Sequence, residues 1–553
     1  MAWCRNCPSF CRVCGGGKAT PPPKKEKGKG RRGCVQMRLK RGPTSKSFHS
    51  QKEGANKKWA CYLLVFPLLL LLCAPSPSLA QPFKAVNLGN WLVNEGWMEP
   101  SLYDGMPNSD LLDGTQVHFF STKLQKYLCS ENGGGTILVA NRPSASDWET
   151  FRLWRISETY FNFRVFNKQF VGLEDQGYKV TAVSDTAGNP ETFQIVRKND
   201  DRSIVRLQAS NGQFLQAISE ILVTADYVGS GWDEGDPSVF KMTIVNPNAL
   251  RGEYQLTNGY GPDRAPQVLQ DHWNSYITDE DFRFMSENGL NAVRIPVGWW
   301  IACDPAPKPF VSGSLKALDN AFTWAQKYGM KVIVDLHAIQ GSQNGNGHSG
   351  TRDGYQEWGD SNIEETVAVI DFLAERYANN TSLAAIELMN EPMAPGISLD
   401  TLKKYYQAGY DAVRKYTQNA YVILSNRLGN ADSTELLSFA SSLHCVAIDV
   451  HYYNLFSDSF STMNAQQNID FIHNQRSSDL NTVTTATGPS IFVGEWTGEW
   501  EVNGASMQDY QNFAKAQIEV YGRAQFGWAY WAYKCAPNYW SLKWMIENNF
   551  VKL

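Results

Sequence analysis

Eight short apolar runs are spread along this chain, most of them separated by stretches with helical spacing. The first covers residues 85–90. NAVRIPV from Asn291, MKVIVDLH from Met330, AAIELMNEP from Ala384 and AYVILSN from Ala420 follow. HCVAIDVHYYN from His444, SIFVGEW from Ser490 and FGWAYWAY from Phe526 complete the set. Runs of this length with Val, Ile and aromatic residues read as buried strands. Between them, SLKALDNAFTWAQKYG and ETVAVIDFLAERYAN place apolar residues three and four apart, as a helix lying on a sheet requires. Eight such β/α units predict a (β/α)8 TIM barrel.

Residues 108–247 break this rhythm. Tyr127-Leu128, Phe170-Val171 and Phe214-Leu215 recur at nearly constant spacing, as do Phe151, Phe193 and Phe240. Short alternating runs (TILVA, KVTAV, EILVTA) lie between them. Three β-rich repeats, each too small to close a core alone, predict an all-β β-trefoil. The expected organisation is an N-terminal basic extension and signal-like segment (1–80), a first part of the barrel (81–107), the inserted trefoil (108–247) and the rest of the catalytic barrel (248–553).

Each proposed barrel strand ends in a polar or aromatic residue. Glu95 follows the first, Arg294 ends the second, His337 the third and Asn390-Glu391 the fourth. His451 and Tyr453 follow the sixth, Glu495 ends the seventh and Trp531 the eighth. The C-terminal ends of barrel strands converge on one mouth, so these residues are expected to share a site. Two carboxylates at such a mouth suit glycoside hydrolysis. One carboxyl protonates the departing oxygen and the other attacks or activates water. Glu387, Glu499 and Glu501 lie nearby and read as exposed or structural carboxylates.

Charge and leader sequence narrow the picture further. The net charge of −4 is unevenly placed. Residues 1–80 carry many Lys and Arg but only Glu26 and Glu53, so the body is strongly acidic, which speaks against nucleic acid as a partner. Lys57-Lys58 precede an apolar run over residues 59–74, followed by Ser78-Leu79-Ala80. This is the pattern of an export signal ending near Gln81, too short for a membrane span, and no stable membrane insertion is expected. A type II anchor is the alternative, and Met37 could serve as a later start. Cys4, Cys7, Cys11 and Cys14 resemble a zinc pattern, but the loop between the pairs is short and the segment belongs to the leader. Cys129, Cys303, Cys445 and Cys535 remain after it, an even number that permits disulfides. The sequon Asn379-Asn380-Thr381 suits a secreted glycoprotein. Eighteen tryptophans mildly favour a carbohydrate partner, since rings outside the core can stack on sugars.

The strings VNLGNWLVNE, NAVRIPVGWW, VIVDLHAIQGSQNG, ELMNEP, DVHYYN and FVGEW make the chain resemble a retaining β-glycosidase of glycoside hydrolase family 5. It is most similar to the exo-β-1,3-glucanase-like branch, in a plant form carrying an inserted fascin-like domain, whose lobes open with elements like those of the three repeats. The resemblance implies Glu391 as acid/base and Glu495 as nucleophile, with Arg294 keeping Glu495 ionised. It implies that Asn390 binds the sugar 2-hydroxyl, that His451 and Tyr453 orient the carboxylates, and that His337 and Glu95 bind the terminal sugar. Trp531 would be a stacking floor. No cofactor and no metal are implied. The expected substrate is a β-glucan, a β-gluco-oligosaccharide or a β-glucoside, outside the cell or in the cell wall, and the trefoil could bind polysaccharide. Two departures stand out. Gly89-Asn90 replaces a glycine pair, and Asn346 and His348 stand where relatives carry an aromatic residue and an asparagine. Other readings are an actin-binding or lectin-like protein with an inactive barrel, and an enzyme working mainly as a transglycosidase.

Overall fold

The computed structural model describes residues 81–174, 177–247 and 250–553. The signal-like segment and its cysteines lie outside the described residues. All eight expected strands form, and they close into a parallel barrel: Phe83–Asn87, Ala292–Gly298, Lys331–Ala338, Leu383–Glu387, Tyr421–Ser425, Val446–His451, Ser490–Trp496 and Gly527–Tyr530. The first strand is shorter than its apolar run. The chain turns after Leu88, and Asn90 adopts a φ of 65°, a left-handed conformation that asparagine tolerates better than most residues.

The barrel interior is layered. Phe83, Ala85, Ala292, Ile333, Ala385, Ala447 and Phe492 pack together as an apolar floor. Strand side chains alternate between faces, so residues two positions further on point the same way. Those residues include Asn87, Arg294, Asp335, Glu387 and Asp449, all fully or almost fully buried. A polar layer thus sits directly above the apolar one, toward the C-terminal mouth. Outside the strands, a large cluster including Val86, Val293, Val332 and Ile448 packs against the helices.

The inserted region is an all-β domain of twelve antiparallel strands between Gln116 and Ile244. Six close into a ring: Gln116–Ser121 pairs with Phe151–Arg155, then Tyr160–Arg164, Thr192–Arg197, Ile204–Gln208 and Phe240–Ile244, which returns to the first. Three hairpins fill the gaps, Lys126–Ser130 with Leu138–Arg142, Phe170–Leu173 with Val180–Ser184, and Phe214–Ser219 with Leu222–Tyr227. This is a β-trefoil. The repeat markers occupy corresponding places: Leu128, Val171 and Leu215 are buried in the hairpins, and Phe151, Phe193 and Phe240 are the first or second residue of the fourth strand of each lobe.

The insertion leaves and rejoins the barrel at adjacent points. Glu95 forms a β-bridge with Gly252, and the Gly96 N–H donates to the Arg251 carbonyl at 2.7 Å. Cys129, Cys445 and Cys535 are free thiols. Among the described residues no helix is long and apolar enough to cross a membrane.

Candidate active site

Arg294 organises the mouth from below. Its guanidinium is fully buried and donates to both oxygens of Glu387, at 2.7 and 3.0 Å. It also donates to Asn87 Oδ1 at 2.9 Å, Asn390 Oδ1 at 2.8 Å and Glu495 Oε1 at 3.1 Å. Asp335 and Asp449 lie 3.2 and 3.8 Å from the same group. Glu387 is therefore a structural carboxylate and not an exposed one, and burial beside Asp335 and Asp449 pushes it well above the ordinary carboxylate range. Glu499 is half-buried and accepts the Trp500 N–H, while Glu501 is exposed.

Asn390 and Glu391 follow the fourth strand. The chain takes a left-handed turn at Glu391, with φ of 47°, and Ser425 Oγ at the end of the fifth strand accepts its N–H at 3.3 Å. Pro392 bars helical continuation at this point. His451 closes the gap between the two candidate carboxylates. Its Nδ1 is 2.8 Å from Glu391 Oε1 and 3.4 Å from Glu495 Oε2, and its Nε2 is 3.1 Å from Asp449 Oδ2. Both ring nitrogens face carboxylates, which favours the doubly protonated imidazolium and pushes the ring well above its ordinary range. Tyr453 donates its hydroxyl to Glu495 Oε2 at 2.7 Å. Carboxylate oxygens of Glu391 and Glu495 and a nitrogen of His451 all lie within 4.8 Å of one another.

The ionisation balance differs from the expectation that Arg294 keeps Glu495 ionised while Glu391 is poised as the acid. Burial pushes Glu495 up to about 7, helped by the charge of Glu391 and opposed by His451, Arg294 and Tyr453. Arg294 is shared among several other oxygens, so its charge does not outweigh burial at Glu495 alone. Burial also acts on Glu391, but the hydrogen bond and charge of His451, with His348 and His337 behind it, hold it down at about 2. In this arrangement the mobile proton is on His451, one hydrogen bond away from Glu391.

The remaining expected residues ring the same space. His337 Nδ1 is 2.6 Å from Asp335 Oδ2, and its Nε2 has no partner among the described residues. Asn390 Nδ2 is likewise unpartnered. Buried polar atoms are nearly always paired, so these two nitrogens at one mouth are free to take a further partner. Glu95 accepts from Trp97 Nε1 at 3.0 Å, and burial lifts it to about 7. The Trp531 ring stacks on His337, with centroids 5.4 Å apart and an 11° tilt. A Cβ at Gly89 would lie 2.9 Å from the Trp531 ring, which accounts for the glycine there. The departure at Asn90 is also accounted for: its Oδ1 accepts from the Asn94 side chain at 2.8 Å and the Glu95 N–H at 2.9 Å, tying down the loop that presents Glu95.

Several participants were missed from the sequence. Asn87, Asp335 and Asp449 have a legible signal: a polar or charged residue inside an apolar strand, two positions beyond an apolar floor residue. Trp97 and Trp540 lie on a loop and a short turn and have no comparable signal, and His348 stands out in the sequence only as a departure from the family resemblance. Trp97 meets Trp540 edge-on at 5.0 Å, and Tyr453 lies 5.7 Å from Trp540. His348 Nε2 is 3.4 Å from Glu391 Oε2, and its Nδ1 is 3.9 Å from Glu95 Oε2. Two carboxylate sets, Glu391/His451/Glu495 and Glu387/Asp449/His451, are close enough to hold a cation. The Arg294 guanidinium already lies 2.7–3.8 Å from Glu387, Asp449 and Glu495.

Residues 259–536 match the family described as Cellulase (glycosyl hydrolase family 5), and residues 108–245 match a domain of unknown function, DUF7910. Over 340 residues the chain is 34% identical to the probable glucan 1,3-beta-glucosidase A of Emericella nidulans, covering 54% of this chain and 81% of that protein. It is 31% identical over 355 residues to the glucan 1,3-beta-glucosidase of Yarrowia lipolytica, covering 56% of this chain and 83% of that one. Among solved structures, the rutinosidase from Aspergillus niger superposes with a TM-score of 0.47 and 19% identity, over 54% of this chain and 88% of that chain.

Proposed function

The chain belongs to glycosyl hydrolase family 5, and on that premise we propose that it is a secreted retaining β-glycoside hydrolase acting on β-glucans, β-gluco-oligosaccharides or β-glucosides. The observation that carries this reading is the carboxylate pair Glu391 and Glu495, with oxygens within 4.8 Å and His451 between them. Retaining glycosidases hold their carboxyls about 5–5.5 Å apart, whereas inverting ones leave room for a water. The β-glucan preference draws on the two fungal relatives named as glucan 1,3-beta-glucosidases.

In the first step a Glu495 oxygen attacks the anomeric carbon, and the bond to the departing oxygen breaks. That oxygen takes a proton from Glu391, which draws it from His451 Nδ1 across the 2.8 Å hydrogen bond. Arg294 and Tyr453 hold separate oxygens of Glu495 and orient it for attack. In the second step Glu391 removes a proton from water, whose oxygen attacks the same carbon and releases Glu495. A low carboxylate pKa suits Glu391 as base in this half of the cycle. Asn390 Nδ2 donates to a sugar hydroxyl, His337 Nε2 and Glu95 face others, and Trp531 lines the floor.

Glu495→Ala is expected to abolish hydrolysis, and azide to restore turnover with inverted product. A 2-fluoro-glucoside inactivator is expected to label Glu495, and labelling of another residue would overturn the assignment. Export rests on the basic-flanked apolar leader. Mature protein is expected to begin near Gln81, and N-terminal sequencing of secreted material checks this.

A further inference from the structure

Among the described residues the trefoil contributes none to the mouth, yet it grips the loop that does. Residues 339–362, between the third barrel strand and the next helix, carry Gln343, Asn344 and His348 at one end. Asn344 Nδ2 is 2.9 Å from His348 Nε2 and donates to the Glu391 carbonyl at 3.2 Å. Gln343 Nε2 donates to the carbonyls of His337 and Asn390 at 2.7 and 2.9 Å. The other end, residues 352–357, is seized by the inserted domain. Asp353 is 2% exposed. It accepts from Trp154 Nε1 at 2.6 Å and Arg164 Nη1 at 2.7 Å, and its carbonyl accepts from Arg152 at 2.8 Å. Arg164 also donates to Glu357 at 2.8 Å, and Arg352 donates to Asp113 at 2.7 Å. The Tyr355 ring has the Arg152, Arg164 and Lys168 cations 4.5, 4.9 and 4.9 Å from its centroid. The chain rejoining the barrel touches the loop again, for a Cβ at Gly252 would collide with the Gly347 carbonyl oxygen, beside His348.

Building on the assignment of Glu391 as acid/base, we infer that the inserted trefoil is a positioning element of the active site. Trp154 and Arg164, acting through Asp353, set the loop that places His348 between the carboxylates of Glu95 and Glu391. A guanidinium and an indole N–H, both aimed at one carboxylate oxygen, fix it in distance and direction. The pairing of Gly341 and Ser342 with Glu357 and Trp358 carries that constraint across the base of the loop, through bonds of 2.7 and 3.3 Å. His348 reaches the acid/base directly at 3.4 Å, so release of the loop disturbs proton delivery more than sugar stacking.

The test uses the full-length protein with Trp154→Phe, Arg164→Ala and His348→Ala, alone and combined. Trp154→Phe keeps an aromatic ring and removes the N–H donor, so it remains informative should Arg164→Ala fail to fold. In the Trp154→Phe and Arg164→Ala proteins hydrogen exchange is expected to quicken over residues 344–350, remote from those two side chains. Turnover of a β-glucoside with a poor leaving group is expected to fall on the order of tenfold to a hundredfold, with a much smaller loss on an activated aryl β-glucoside. Combining either trefoil substitution with His348→Ala is expected to add little beyond His348→Ala alone, because the two act through one element. Exchange changes confined to 352–357, equal losses on both substrates, or fully additive effects would overturn the inference. A wild-type protein that hydrolyses neither substrate would overturn the functional reading instead, and the exchange result would then judge the coupling by itself.

Discussion

At the scale of single residues, the site divides one cation and a few protons among many carboxylates, and geometry decides which oxygen receives what. Arg294 and Tyr453 each hold one oxygen of Glu495, yet burial still leaves that group near 7. The sign of its pH dependence follows. With Glu495 lifted to about 7, its carboxylate form, the proposed nucleophile, grows as pH rises, so kcat/KM is expected to climb through that region. Tyr453→Phe removes a donor that stabilises the charged form, and should move this limb to higher pH. Glu391→Gln removes a neighbouring negative charge, and should move it lower. A pH–rate profile on an activated aryl glucoside checks both, and limbs that stay fixed or move oppositely would contradict the account. Glu391→Gln should also cost on the order of 10²–10⁴-fold where the leaving group needs a proton, with far less on activated substrates. Leaving-group dependence of kcat/KM measures this directly.

At the scale of elements, the positions of the eight strands are legible because each is an apolar run between helical stretches. The catalytic candidates are legible because strand ends face one mouth. Apart from Arg294, the polar layer beneath them escapes the sequence reading, although the two-residue alternation from Ala292 to Arg294, Ile333 to Asp335 and Ala447 to Asp449 encodes it. Glu387 reads as a bystander because its sequence neighbourhood does not reveal Arg294 as a partner from another strand. Loop participants such as His348 follow no periodicity, since their place depends on contacts made far away in the chain. Another such contact gives a stability prediction. Glu253 begins the helix Glu253–Ser275, is buried, and accepts the Asn94 N–H at 3.0 Å, while its other oxygen has no partner among the described residues. Burial outweighs the helix N-terminus, which would favour the anion, and lifts this group to about 8. The folded state therefore keeps a proton that the unfolded chain releases near 4.5, so stability contributed by this site is present below 4.5 and lost as pH rises toward 8. Glu253→Gln should match wild type at pH 4–5 and exceed it above pH 8 by on the order of a few kcal/mol. Denaturant midpoints at the two pH values test this, and an unchanged pH dependence would count against it.

At the scale of the whole molecule, the threefold repeat announces the trefoil, because only the markers that build its core recur. What the repeats do not announce is how the trefoil meets the barrel. Arg152, Trp154 and Arg164 lie in the first and second lobes without counterparts in every repeat, and their partners are about two hundred residues away in a barrel loop. The trefoil has its own closed six-stranded ring and its own core around Phe119, Phe151, Phe163 and Phe193. Residues 108–247 expressed alone are therefore expected to fold cooperatively. The barrel is less independent. Excision of residues from about 110 to 245, with a short Gly/Ser closure, strips Asp353 of Trp154 and Arg164 and leaves Tyr355 without its stacked cations. Removing the partners of a buried carboxylate costs on the order of 3–5 kcal/mol, or requires the loop to move so that water can reach it. The proposed catalytic residues, Glu391 just after the fourth barrel strand and Glu495 on the seventh, lie outside the trefoil, so the excised protein should keep turnover of an activated aryl β-glucoside. It should melt at lower temperature and lose most of its turnover on substrates that depend on proton delivery. Thermal melts of both fragments and paired kinetics on the two substrate classes decide the matter: a barrel as stable and as active as the full chain on both would show that the inserted domain is a passenger.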